Sequence, residues 1–162
     1  MHVHQYNFTF EVYASASELP PADAELVQEA RAATAHAYAP YSQFHVGAAA
    51  RLTNGQKIQG TNQENASFPA GICAERVLLS AAASLYPGTG IETLAISYHN
   101  LNGTSNRPIS PCGICRQSLL ETEERWKQPI RIILTGLDGE VYVIPRASLL
   151  LPLSFGAGEL VG

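Results

Sequence analysis

A chain of 162 residues that is 46% hydrophobic can bury one sizeable core, and it is too short for two ordinary domains. Ten basic against fourteen acidic residues leave a net charge of −4 with no basic cluster, which disfavours a surface built to neutralise phosphates. No stretch approaches the length of a membrane span and no basic-then-apolar leader opens the chain, so the expectation is one domain over 1–162, cytoplasmic, with neither membrane nor nucleic-acid partners.

In chain order, residues 5–13 alternate Tyr6, Phe8, Phe10 and Val12 with Asn7, Thr9 and Glu11, the period of a half-buried strand. This predicts an added N-terminal strand segment at about 1–15. From Ala22 to Tyr38 apolar residues recur at helical spacing and stop before Pro40. Strands over Phe44–Leu52 and Lys57–Gly60 flank Asn54-Gly55, a hairpin signal. A helix over 73–86 ends near Pro87-Gly88, a strand follows at 93–99, and a polar loop reaches residue 110. That loop either borders the site or is a solvated connection. A helix at 112–124 and strands at 130–135 and 140–144 complete the series. Strands alternating with helices predict an α/β fold whose sheet is covered on both faces.

The only three cysteines carry the chemistry. Cys73 lies in Cys73-Ala74-Glu75-Arg76, and Cys112 and Cys115 lie in Pro111-Cys112-Gly113-Ile114-Cys115. A structural zinc site is normally closed by four ligands, whereas three protein ligands leave a position open for water. No fourth cysteine exists, so the spacing predicts a catalytic Zn²⁺ held by three thiolates, with Glu75 beside it. Both segments open helices, whose positive ends favour deprotonated sulfur. Zinc nucleobase deaminases pair P-C-x-x-C with a nearby glutamate that is not a ligand, and they include three-cysteine variants. In that reading Glu75 takes the water's proton and delivers it to ring nitrogen N3 while the hydroxide attacks C4 of the cytosine, and it later helps protonate the departing ammonia. Three thiolates against Zn²⁺ leave a charge of −1, which calls for a cation nearby. Arg76 is the candidate to hydrogen-bond a sulfur, with Arg116 second.

Other readings remain open at this point. The thiols could be inert buried residues, or Cys112 and Cys115 a redox dithiol. Glu75 could be a helix-capping acid, or the zinc purely structural. The histidines, His2, His4, His36, His45 and His99, show no ligand spacing.

Four segments in one order resemble the short, homotetrameric, zinc-dependent cytidine deaminases: 38–49 (Tyr38 to Ala49), 60–67 (Gly60 to Ser67), 73–76 and 110–117 (Ser110 to Gln117). The resemblance spans about Ala24 to Phe155. It implies a three-layer α-β-α sandwich with a mixed sheet and hydrolytic deamination of cytidine and deoxycytidine. It also implies that Phe44 packs on the pyrimidine, that Asn62 and Glu64 bind the ribose, and that backbone near Ala74 and Ser110 reads the base. Ala66, Phe68 and Phe155 would be supplied to a neighbouring subunit's site. Phe44 could instead be core, Asn62 and Glu64 turn residues, and Phe155 a lone exposed apolar residue. Phe68 stands where the family commonly has tyrosine, so a hydroxyl expected near the nucleoside 5′ end is missing. This keeps a modified cytosine nucleoside or a blasticidin-like antibiotic as an alternative substrate.

Overall fold

The computed structural model describes residues 1–160; the last two positions of the expected domain, 161–162, lie outside the described residues. Six strands form one mixed sheet in the order β1-β6-β5-β4-β2-β3. They are β1 (Glu11–Tyr13), β2 (Phe44–Leu52), β3 (Lys57–Thr61), β4 (Ile91–Asn100), β5 (Arg131–Leu134) and β6 (Val141–Ile144), with helices α1 (Pro21–Ala33), α2 (Ala74–Leu85) and α3 (Gly113–Trp126). Only β4 and β5 run parallel, joined through α3, because a parallel pair needs a long crossover.

The two faces of the sheet make two cores, as the three-layer expectation requires. On one face Leu26, Val27 and Ala30 of α1 pack on Ala49, Ala95, Ile133, Val141 and Val143. On the other, Leu78 and Ala82 of α2 and Leu119 of α3 pack on Ala48, Ala50, Leu94, Ile96 and Ile132. Alternation along β2 and β4 sends successive residues to opposite cores.

The first helix is shorter than its apolar spacing predicts. It ends at Ala33 and tightens into a 3₁₀ turn, Thr34–His36, because it presses on β2 at Gly47. A Cβ on Gly47 would lie 2.2 Å from the Ala30 carbonyl oxygen and 2.8 Å from the Thr34 nitrogen. The hairpin turn is as expected, with Gly55 at φ 82°.

The N-terminal strand differs more. Of residues 5–13 only Glu11–Tyr13 pair, with Val141–Val143. The ladder stops because β6 ends at Ile144 and is followed by Pro145, which has no N–H to offer. Residues before Glu11 continue as an exposed arm. Its rings Tyr6, Phe8 and Phe10 stand 6.5 and 6.2 Å apart, and Phe10 lies 5.1 Å from Tyr142. Among the described residues no helix is long and apolar enough to cross a membrane.

Candidate active site

The N-termini of α2 and α3 converge at one end of the sheet. Cys73 and Cys112 immediately precede these helices, and Cys115 lies in the first turn of α3. The Cys73 and Cys112 sulfurs are 3.7 Å apart and those of Cys112 and Cys115 are 3.5 Å apart. Ligand atoms at about 2.3 Å around a tetrahedral zinc would be separated by about 3.8 Å, so this donor set fits that ion. Among the described residues it is the one cluster of three such groups.

The local sequence explains the convergence. The first turn of α2 sits directly on β3 at Gly60, where a Cβ would come within 2.5 Å of the Ala74 carbonyl oxygen and 2.6 Å of the Leu78 nitrogen. Only glycine permits that approach. At α3, the Arg116 guanidinium donates to the Pro111 carbonyl at 2.8 Å and to the Leu150 carbonyl at 3.0 Å. This fixes the residue before Cys112. Arg116 therefore braces the loop rather than a sulfur. Arg76 makes no hydrogen bond to a ligand sulfur among the described residues; its positive field helps lower the Cys73 pKa.

Clustered thiols cannot all keep ordinary acidity. The hydrogen bond from Cys115, with further help from Cys112 and Arg76, pulls Cys73 down to about 6. Cys115 is pushed up by that same bond and by burial. A divalent cation removes this conflict by stabilising every thiolate together. Glu75, in the first turn of α2, is only 5% exposed. Burial raises its pKa, opposed by its own backbone N–H and by Cys115. Such a carboxyl binds a proton more readily than a solvated one.

Beside Cys73 opens a cavity of about 480 Å³, lined by Tyr41, Ser42, Gln63, Glu64, Phe68 and Ile72 among others. Glu64 Oε2 accepts the Tyr41 and Ser42 amides at 2.8 and 3.2 Å. The Ser42 hydroxyl and these amides hold Glu64 below its ordinary pKa, leaving Oε1 as a charged acceptor. Asn62 bridges β2, with Oδ1 accepting the Val46 amide at 2.7 Å and Nδ2 donating to the Phe44 carbonyl at 2.9 Å. One donor and one acceptor site on that amide remain free.

Other expected residues lie elsewhere. Phe44 stacks on Tyr98 at 4.9 Å and lines a neighbouring cavity of about 360 Å³ with Asn100, Arg107 and Ile109. The loop 100–110 thus borders this second cavity. Ala74 is buried against Gly60, whereas Ser110, two residues before Cys112, is exposed. Phe68 stands in its own chain's cavity wall, 5.9 Å from Tyr41 and edge-on to it. Ala66 and Phe155 are exposed. Sequence reasoning missed Glu123, which reads as one acid in a charged helical run. It is buried and accepts the amides of Ile130, Ala147 and Ser148 at 2.7, 2.8 and 3.0 Å.

Fold and thiol cluster together define an α/β protein with a zinc site at two helix N-termini. Residues 20–127 match the sequence model described as the cytidine and deoxycytidylate deaminase zinc-binding region. A cytidine deaminase of Halalkalibacterium halodurans is 37% identical over 83% of this chain and 95% of its own. One from Sporosarcina psychrophila is 34% identical, over 84% and 93%. The crystal structure of cytidine deaminase from Burkholderia pseudomallei superposes with a TM-score of 0.70 at 38% identity, covering 81% of this chain and 97% of that one. The chain belongs to the cytidine and deoxycytidylate deaminase family.

Proposed function

We propose that this protein is a hydrolase that converts cytidine and deoxycytidine, with water, to uridine and deoxyuridine plus ammonia. The observation that carries the reading is the triad of Cys73, Cys112 and Cys115 at zinc-ligand spacing beside the buried carboxyl of Glu75. Zinc, when bound, makes a water acidic enough to serve as nucleophile near neutral pH. Glu75 would take one proton from the attacking water and deliver it to N3 as the C4–O bond forms, then carry the remaining proton of the C4 hydroxyl to the amino group as the C4–N bond breaks and ammonia leaves. Its burial suits this shuttle, because desolvation raises its pKa and makes it a better proton acceptor than a solvated carboxylate. Arg76 offsets part of the thiolate charge.

The substrate contacts follow from the groups left free. Glu64 Oε1 accepts from a ribose hydroxyl, and the remaining amide hydrogen of Asn62 donates to it. Phe44, braced by Tyr98, supplies an apolar face to the pyrimidine, and backbone at Ala74 and Ser110 reads its polar edge. The cavity is rimmed by exposed aromatic side chains, Tyr41 at 53% and Phe68 at 75%, and the exposed Phe155 belongs to the same reading. Exposure of that kind supports a homotetramer with shared sites, in which Ala66, Phe68 and Phe155 serve an adjacent subunit. One domain carries all of this. Three free thiols used as ligands suit a reducing compartment, hence the cytoplasm and a role in pyrimidine salvage. A net charge of −4 favours free nucleoside over nucleic acid.

One observation favours a second reading. Phe68 lines the cavity without a hydroxyl, which suits a cytosine nucleoside altered at its 5′ end or a blasticidin-like antibiotic. Ultraviolet-monitored turnover of cytidine and deoxycytidine by zinc-loaded protein, with ammonia measured in parallel and Glu75→Ala as control, decides between them. Equal yields of ammonia and uracil nucleoside, absent in the control, are expected. No turnover by fully metallated protein overturns the first reading and sends the search to 5′-altered substrates.

A further inference from the structure

The helix that supplies two of the three thiols also holds the C-terminal segment, through two pairs of side chains spaced seven residues apart. Arg116 and Glu123 form the inner pair. Arg116 donates to the Leu150 carbonyl at 3.0 Å, and Glu123 accepts from Ala147 at 2.8 Å and Ser148 at 3.0 Å. Gln117 and Glu124 form the outer pair. Gln117 Nε2 donates to the Phe155 carbonyl at 2.8 Å, and Glu124 Oε2 accepts the Ala157 amide at 3.2 Å. Seven residues are about two helical turns, so each pair lies along one line of α3.

The segment between these anchors is shaped to stay where it is put. Leu153 follows Pro152 at φ 54°, a conformation that a leucine adopts only where its surroundings dictate it. Gly156 lies flat against Glu124: a Cβ there would stand 2.7 Å from Oε1. The Glu159 carboxylate closes back on the Gly156 amide at 2.6 Å. The backbone of Phe155 is thus tied to α3 while its ring stays 58% exposed. A tail docked for its own stability would bury that ring. This one anchors the main chain and turns the ring outward.

We infer that Gln117 and Glu124 are positioning residues that present the Phe155 ring to an adjacent subunit's active site. This rests on the proposed shared site and adds a physical link to it. The helix that opens on Cys112 and Cys115 of one subunit sets the aromatic wall of the next. Preorganisation of this kind lowers the entropy cost of closing the wall on substrate, so its loss falls on KM more than on kcat.

The test compares Gln117→Glu, Glu124→Ala, Phe155→Ala and the Gln117→Glu/Phe155→Ala double variant. Gln117→Glu keeps the shape and removes the donor. Cytidine kinetics are read alongside zinc content, subunit assembly and amide exchange over residues 155–157. Gln117→Glu is expected to raise KM about five- to tenfold, with kcat, zinc and assembly unchanged, and to add nothing once Phe155 is alanine. Glu124→Ala is expected to speed exchange at Ala157. An effect of Gln117→Glu that persists in full without the Phe155 ring overturns the positioning role. Unchanged exchange in Glu124→Ala overturns the anchor itself. If Phe155→Ala leaves KM untouched while exchange still responds, it is the shared-site reading that fails, and the presentation to a neighbour fails with it.

Discussion

The metal end and the aromatic rim of the cavity are built on opposite principles. At the metal end every group sits at a helix N-terminus: Cys73 and Cys112 cap the helices, Cys115 and Glu75 are buried in their first turns, and Gly60 and Arg116 lock the two helices against β3 and the C-terminal segment. At the rim, Tyr41 lies in a turn and Phe68 opens a short 3₁₀ helix, both more than half exposed and edge-on to each other. The contrast teaches where each part of the reaction is set. Bond making needs groups held within fractions of an ångström, so it is assembled inside one chain. Substrate enclosure tolerates looser parts, which can be shared between chains.

That division predicts a steep gradient of mutational effects. The largest is Cys115→Ala: zinc measured by plasma emission should fall from about one per chain to near zero, and turnover with it. Retained zinc would break the assignment of the cluster. Next comes Glu75→Ala, expected to lower kcat by about 10²- to 10⁴-fold while zinc content and melting temperature hold, which separates proton transfer from metal binding. Loss of zinc in this variant would show that the carboxylate is structural.

Glu123→Ala should be a stability mutant without being a chemical one. Three backbone amides, those of Ile130, Ala147 and Ser148, lose a buried acceptor, at about 1–3 kcal/mol for each group left unpaired. Thermal unfolding should show a fall of this order, with kcat of the folded fraction near wild type. This residue also marks the limit of the sequence. The thiols, Glu75 and the hairpin at Gly55 were legible because their chemistry or turn geometry needs particular residues at short spacing. In 121–124 (Glu-Thr-Glu-Glu), by contrast, nothing local separates Glu123, which meets the start of β5 and the turn at Ala147, from its solvated neighbours. Asp23 is a second case, buried against Arg51 and Arg131 from two different strands. The overlong N-terminal strand failed for a related reason. Alternation over 5–13 was real, but pairing depended on the length of β6, far away in sequence.

Gly60→Ala probes how tightly the metal end is held. The added methyl meets backbone on α2, not a yielding side chain, so the first turn carrying Glu75 and following Cys73 must move. Overpacking of this kind costs about 1–3 kcal/mol. A displaced Glu75 should lower kcat by about tenfold or more, with KM for cytidine little changed. A rise in KM alone would place the effect at the rim and blur the comparison.

The smallest effect, and the one that most sharpens the rim, is Phe68→Tyr. The ring is 75% exposed and edge-on to Tyr41, so a hydroxyl at its tip displaces no packed atom, and stability should change by less than about 0.5 kcal/mol. If the rim encloses the 5′ end of a nucleoside, the new hydroxyl gains a partner there, and KM for cytidine should fall about two- to fivefold. The same substitution should do nothing for 5′-deoxycytidine, which has no hydroxyl to meet it. Measuring both substrates cancels any general loosening of the loop, since that would move both KM values together. A selective gain for cytidine would identify Phe68 as the residue that sets how strongly this chain grips the 5′ end. Equal behaviour of the two substrates would remove Phe68 from the substrate wall.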